Sequence, residues 1–534
     1  MRHRIAAILL GLTAAPVSGV AQTAPTALQA EPQVEEVSMA DAAAMLRDGR
    51  VTSEALTAAY LARIDRMDRA GPALRSVIAV NPQALAEASA SDARRRAGRP
   101  LGPLDGVPVL VKDNIETRDQ PTTAGSLALK ENFTGRDAPV IARLRAAGMV
   151  VLGKTNLSEW ANIRSTESMS GWSAVGGLVR NPYALDRTAC GSSSGTGAAV
   201  AASFAAIGIG TETDGSVVCP SSMNGLVGLK PSMGLVSRTH IVPISHSQDT
   251  AGPMGRSVMD VALFLPVMIG SDSADPATKD ADRYRIDFAK RLKPDALKGR
   301  RIGYLRPGWM KPAQAAVYDA ALDVLRAAGA EVIEVKMPDV KGIGDQEFLV
   351  LQTELKADMD AYLATTPAAV ASRTLDDLIA FNRAHADAEM PYFGQEIFET
   401  AAKSKGLDDP EYLKARRESQ AKAAGAIDAM LKDNDVAVIV APTYGPAWPS
   451  DVVYGDQYPA GSASGLPAIS GYPHLTVPMG LVHGLPVGLS FIGPMHGDAL
   501  LLQAGYAYEQ ASHARVAPRY LPEADGGAGV DGVR

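Results

Sequence analysis

Cysteine is almost missing from these 534 residues: the chain holds two, Cys190 and Cys219. Two thiols build neither a disulfide framework nor a four-cysteine metal site. The preferred reading of the pair is small buried packing residues, with a disulfide between them left open. Histidine is also scarce, and the eight present are scattered without ligand spacing, so no metal is expected. No motif that survives its context asks for a cofactor. Basic clusters such as Arg94-Arg95-Arg96 are short and the net charge is −7, which leaves no electrostatic footprint for a nucleic acid. That triplet reads as a solvated helix end.

The first residues, "MRHRIAAILLGLTAAPVSGVAQTAP", have three parts. Arg2 and Arg4 supply positive charge, Ile5 to Ala15 an apolar run, and Gly19-Val20-Ala21 a small-residue cleavage site. This predicts a signal peptide over residues 1–21 and a periplasmic or secreted mature chain. The apolar run is well short of the roughly 20 residues of a spanning helix and Pro16 interrupts it, so no membrane span is expected after cleavage.

With 46% apolar residues the remainder can bury a large core. Leu56, Tyr60, Ile64 and Met67 recur at helical spacing after Thr52 or Ser53 as N-cap, ending at Gly71-Pro72. Further on, β-rich runs alternate with Ala-rich helical stretches: residues 76–80, 106–111, 149–153 and 207–210, with a helix from Asp137 to Gly148. Residues 271–298 are polar and read as a surface excursion. Strand patterns return at 300–305, 330–335, 436–443, 474–480 and 485–493, and a last helix covers 498–512. Residues 344–432 are rich in Ala, Asp, Glu, Lys and Leu and predict a helical insertion. The fold class is α/β: a single large α/β/α sandwich with a twisted mixed sheet covered by helices. Residues 523–534 read as a disordered tail.

Two short motifs mislead. Gly148 to Thr155, "GMVVLGKT", fits a phosphate-binding loop by letter, but Met149 to Leu152 are apolar and β-prone and must themselves be strand. Gly191 to Gly195, "GSSSG", fits a nucleophile elbow that would make Ser193 the nucleophile of an α/β-hydrolase-type esterase. The upstream "NPYALDRTAC" does not read as the buried strand that such an elbow needs.

The longer segment from Cys190 to Ser232, "CGSSSGTGAAVAASFAAIGIGTETDGSVVCPSSMNGLVGLKPS", resembles the signature of the amidase signature family. The resemblance extends to "GPLDGVPVLVKDN" (102–114), "GMVVLGKTNLSEWAN" (148–162) and "SQDTAGPM" (247–254), and covers about residues 38–515. It implies a catalytic triad of Lys112, Ser192 and Ser216, with a cis peptide bond at Ser192. It also implies an oxyanion hole from the backbone N–H groups of Thr213, Asp214, Gly215 and Ser216. The chemistry can be stated without the family. A serine hydroxyl needs an adjacent base, and no histidine lies within either motif, so a lysine must serve if the chain is a hydrolase. Lys112 ends an apolar strand, where desolvation can keep its amine neutral.

Most members of that family carry G-G-S-S-G-G and D-x-G-G-S-x-R. Here the stretches are Cys190 to Gly195 and Thr213 to Val218. These variants, with "LSEWAN", "SGWSA", "AWP" and "YAYEQ", resemble the bacterial peptide amidases within the family. The implied reaction is hydrolysis of C-terminal carboxamides of peptides with release of ammonia. The substrate would be a small molecule or short peptide amide, without an obligate protein partner. Trp172, Ser193 and Trp448 are candidate substrate contacts, although core aromatics are as good a reading of the two tryptophans. The alternatives within the family are a broader aliphatic, aryl or anilide amidase and the amidase subunit of a tRNA-dependent amidotransferase.

Overall fold

Pro108 to Lys112, "PVLVK", is apolar until its last residue and buried throughout. Such a run can only be an inner strand, covered on both faces, and it delivers its terminal lysine to the sheet's rim. The computed structural model describes residues 32–458 and 461–526. The signal peptide expected over 1–21 lies outside the described residues, as does the tail from 527 onward. From Pro32 the chain forms one compact unit.

The strands in chain order are β1 (Val77–Val80), β2 (Pro108–Lys112), β3 (Val150–Thr155), β4 (Trp172–Ser173), β5 (Gly177–Leu178), β6 (Ile207–Glu212), β7 (Val227–Lys230), β8 (Thr250–Gly255), β9 (Arg301–Tyr304), β10 (Glu331–Glu334), β11 (Val438–Pro442), β12 (His474–Val482) and β13 (Leu485–Ile492). Strands β4 and β5 form a small hairpin of their own. The other eleven make one sheet in the order β1-β3-β2-β6-β8-β7-β12-β13-β11-β9-β10. Its pairings are mixed. The β3-β2-β6 run and the β11-β9-β10 run are parallel, and an antiparallel middle joins them. This is the expected fold class, with every strand predicted from apolar runs present and "MVVLG" in strand β3.

Helix Asp498–Ser512 packs on helices Val258–Met268 and Pro312–Ala327, and the three lie against β8 and β12. A second pair, Ser194–Ala201 and Val218–Met223, packs together and against β6, β12 and β13. The helix expected after Thr52 spans Ser53–Met67, and the Thr52 hydroxyl caps it by accepting from Ala55 N–H. Leu56, Tyr60 and Ile64 point into the main core. The insertion expected over 344–432 is helical, its two longest elements being Ile343–Leu363 and Pro410–Asp433. It has its own apolar cluster, in which Leu355, Met359 and Leu363 meet Phe398 and Trp160.

One expectation is corrected. Cys190 and Cys219 are a disulfide, with Cα atoms 6.0 Å apart, and not merely buried packing thiols. Their separation of 29 residues carries no sign of this. It arises because the chain entering Ser192 and the helix leaving Ser216 are neighbours in the fold.

Candidate active site

Strands β2 and β6 are adjacent and parallel, so their carboxyl ends share a rim. Such ends are where open α/β sheets place their sites. Strand β2 ends in Lys112. Strand β6 ends in Glu212 and runs into the turn from Thr213 to Ser216, which leads into helix Val218–Met223.

Lys112 is wholly buried. Its Nζ lies 2.8 Å from Ser192 Oγ, 2.8 Å from Thr211 Oγ1 and 3.3 Å from the Thr211 carbonyl. Burial lowers its pKa to about 7, with Asp249 and Glu212 pulling the other way. A neutral amine has two donors, which Thr211 can absorb, and a lone pair for the Ser192 hydroxyl. Asn114 completes the cluster by donating to Thr211 Oγ1 at 2.9 Å.

Ser192 is equally buried and follows a cis peptide bond at Gly191–Ser192. Gly191 is required by close approach: a Cβ there would collide with the Ser158 hydroxyl. The Ser192 carbonyl accepts from Ser158 N–H at 3.0 Å, and Ser193 N–H donates to the Ser216 carbonyl at 3.2 Å. Ser216 keeps 8% of its surface exposed, against none for Ser192 and Lys112. Of the three, it is the one that meets solvent.

Among the described residues, the backbone N–H groups of Thr213, Asp214, Gly215 and Ser216 donate to no protein acceptor. Four consecutive free donors beside a serine are a backbone array of the kind that can receive an anion. Gly215 makes the turn, with φ +79°, and a Cβ there would run into the Tyr444 hydroxyl. Glu212 Oε2 accepts from Val217 and Val218 N–H at 2.7 and 3.0 Å, which fixes the start of the following helix. Burial raises the Glu212 carboxyl pKa, and nearby Lys230 offsets this.

The profile of the Amidase family matches residues 55–502. The chain belongs to the amidase signature family. This amidase is an amide-hydrolysing enzyme, and its fold is that of solved peptide amidases. It is 48% identical to native peptide amidase from Stenotrophomonas maltophilia, with a TM-score of 0.87, over 91% of this chain and 99% of that one. A probable amidase of Arabidopsis thaliana is 36% identical over 96% of this chain and 97% of its own. A glutamyl-tRNA(Gln) amidotransferase subunit from Synechococcus is 35% identical over 90% of this chain and 93% of its own.

Ser193, Trp172 and Trp448 are all buried, and Trp448 packs with Cys190, Val218 and Tyr444 beside the serine loops. Ser193 is buried and its hydroxyl is engaged by Thr211 alone, through the carbonyl at 3.1 Å and the N–H at 3.2 Å. No histidine contacts it among the described residues. Trp172 is buried edge-on against Tyr392 and Phe393 of the insertion. Trp448 donates its indole N–H to Asp456 at 2.9 Å and meets Tyr458 edge-on. Two clefts open near the Thr213–Ser216 turn, one of about 630 Å³ bordered by Glu347, Ser462, Gly465 and Leu466, the other of about 500 Å³ bordered by Asn114, Thr211, Thr213 and Asp249. Neither tryptophan lines them.

Thr211, Asn114, Glu212 and Asp249 escaped the sequence reading as site residues. The letters were in view, in "VKDN", "TETDGS" and "SQDTAGPM", yet nothing in a linear string assigns their side chains to one cluster. One grouping among the described residues has metal-ligand spacing, His246 with Glu354 and Asp358. Its atoms are already engaged: Asp358 holds His246 Nδ1 at 2.9 Å, and Glu354 accepts from Ser245, Ser247 and Tyr412. No described helix is long and apolar enough to cross a membrane.

Proposed function

We propose that this amidase removes the C-terminal carboxamide of short peptides, giving the free acid and ammonia through an acyl-enzyme on Ser216. The observation that carries the substrate is the 48% identity to peptide amidase over nearly the full length of both chains. The likeness to the amidotransferase subunit is weaker, at 35%.

The geometry of the rim supports the following reaction. With a pKa of about 7, much of the Lys112 amine is unprotonated at neutral pH. It accepts a proton from the Ser192 hydroxyl as Ser192 takes one from Ser216, a Ser-Lys form of triad logic. Ser216 Oγ adds to the carboxamide carbon, and the oxyanion is received by the free N–H groups of the Thr213–Ser216 turn. The proton returns through Ser192 to the amide nitrogen, the C–N bond breaks and ammonia leaves. Water then adds to the acyl-enzyme by the same relay in reverse, and the peptide acid departs. The enzyme acts alone and outside the cytoplasm. The signal-like residues 1–21 support that address, as does a disulfide, which persists in oxidising compartments.

The test measures ammonia from an N-blocked dipeptide amide and amine from an acyl anilide, with wild type, Ser216→Ala and Lys112→Ala. Ammonia release abolished by both substitutions supports substrate and triad together. Cleavage of the anilide alone overturns the substrate, and full activity in Ser216→Ala overturns the mechanism.

A further inference from the structure

We infer that Asp249 is a positioning residue of this reaction: its carboxylate ties the oxyanion turn to the neighbouring loop and sets the charge that faces Lys112. Strand register brings it there. Thr250, the first residue of β8, pairs with Glu212, the last of β6, so Asp249 comes to lie beside Thr213. One oxygen accepts from the Thr213 hydroxyl at 2.6 Å. The other accepts from the N–H groups of Ile244 and Ser245 at 2.8 and 2.9 Å. With Glu212 holding Val217 and Val218, two carboxylates clamp the turn, one at each end.

The loop that Asp249 closes is itself held from outside. Helix Ile343–Leu363 presents Glu347 to Gln248, Glu354 to Ser245 and Ser247, and Asp358 to His246. A carboxylate fixed this firmly keeps Thr213 in one place, as a preorganised oxyanion hole requires.

The second role is electrostatic. Lys112 on β2 and Arg238 are the cations that feel Asp249, and Glu212 on β6 and Asp358 on the insertion helix are the other anions of the group. Burial raises Asp249 to about 6, and Lys112 stands at about 7. The ionised Asp249 carboxylate favours the protonated form of Lys112. It keeps the amine basic enough to pull on Ser192 despite the desolvation that makes it neutral.

This rests on Lys112 being the base, so Lys112→Ala is measured in parallel. Asp249→Asn removes the charge at constant size. The acid limb of its kcat/KM profile is expected to move to lower pH by about half a unit or more, and Asp249→Glu to return it toward wild type. Thr213→Val cuts the tether and keeps the charge. Its kcat should fall by about tenfold with the limb unmoved. An unshifted limb in Asp249→Asn overturns the inference while an inactive Lys112→Ala leaves the proposed base standing. Activity in Lys112→Ala overturns both. Should Asp249→Asn fail to fold, the ¹⁵N signal of Lys112 Nζ in the wild-type enzyme decides. The titration is expected to be broader than that of a single isolated group, and a simple one-proton curve overturns the coupling.

Discussion

Ser193 N–H donates to the carbonyl oxygen of Ser216, 3.2 Å away. The peptide that follows one serine hydroxyl is thereby bolted to the residue that carries the other. That bond, together with the Cys190–Cys219 disulfide, fixes the relative position of the two serine loops.

Residues that act as one relay should not contribute independently. Ser192→Ala and Lys112→Ala are each expected to lower kcat by about 10² to 10⁴. The double variant should be scarcely worse than either single, because the second loss removes a group already idle. Steady-state kinetics on the peptide amide measure this, and multiplicative losses would show that the two work separately.

Activity should rise with pH through the Lys112 titration. Its pKa is lowered to about 7, so the amine is protonated and useless as a base below that value and free above it. The acid limb of kcat/KM is expected near pH 7. Lys112→Arg, charged at every accessible pH, should show no such limb because it has no activity to lose. A wild-type profile flat from about pH 5 to 9 would be incompatible with this base.

The disulfide spans the site, leaving the chain two residues before Ser192 and three after Ser216. The Cys190→Ser, Cys219→Ser double variant is expected to lose about 2–4 kcal/mol of stability, read from denaturant unfolding. It should also show lower kcat, because the tether fixes the separation of the two serine loops. Unchanged kcat in a folded double variant would make the tether purely structural.

Gly215→Ala should be costly for two reasons that can be separated. The left-handed backbone adds about 1–2 kcal/mol for any side chain, and the new methyl meets the Tyr444 hydroxyl. Pairing it with Tyr444→Phe removes the obstructing oxygen and should restore part of the lost kcat. Rescue is the informative result. Its absence would place the whole cost in the backbone.

Much of this was legible beforehand. Apolar runs such as "GVPVLV" and "VAVIVAPT" can be buried only as inner strands, and Lys112 at the end of one of them is conspicuous. Strand β8 was not legible, since "TAGPMG" carries two glycines and Pro253, which sequence rules assign to turns. It forms because it is held between β6 and β7 on both edges. The disulfide and the roles of Thr211 and Asp249 were hidden for one reason: each joins segments that are neighbours only after the sheet is assembled.

Lys112, Ser192, Ser216 and the turn between β6 and its helix all come from one continuous stretch of chain ending at Cys219. The insertion after Gly342 reaches that stretch only through loops and side chains. The residues of the proposed chemistry are thus written in one passage of the gene, and the insertion in another. A change confined to the second passage can reach the first only across the contacts between them, such as the Ile397 N–H that donates to the Arg164 carbonyl at 3.2 Å.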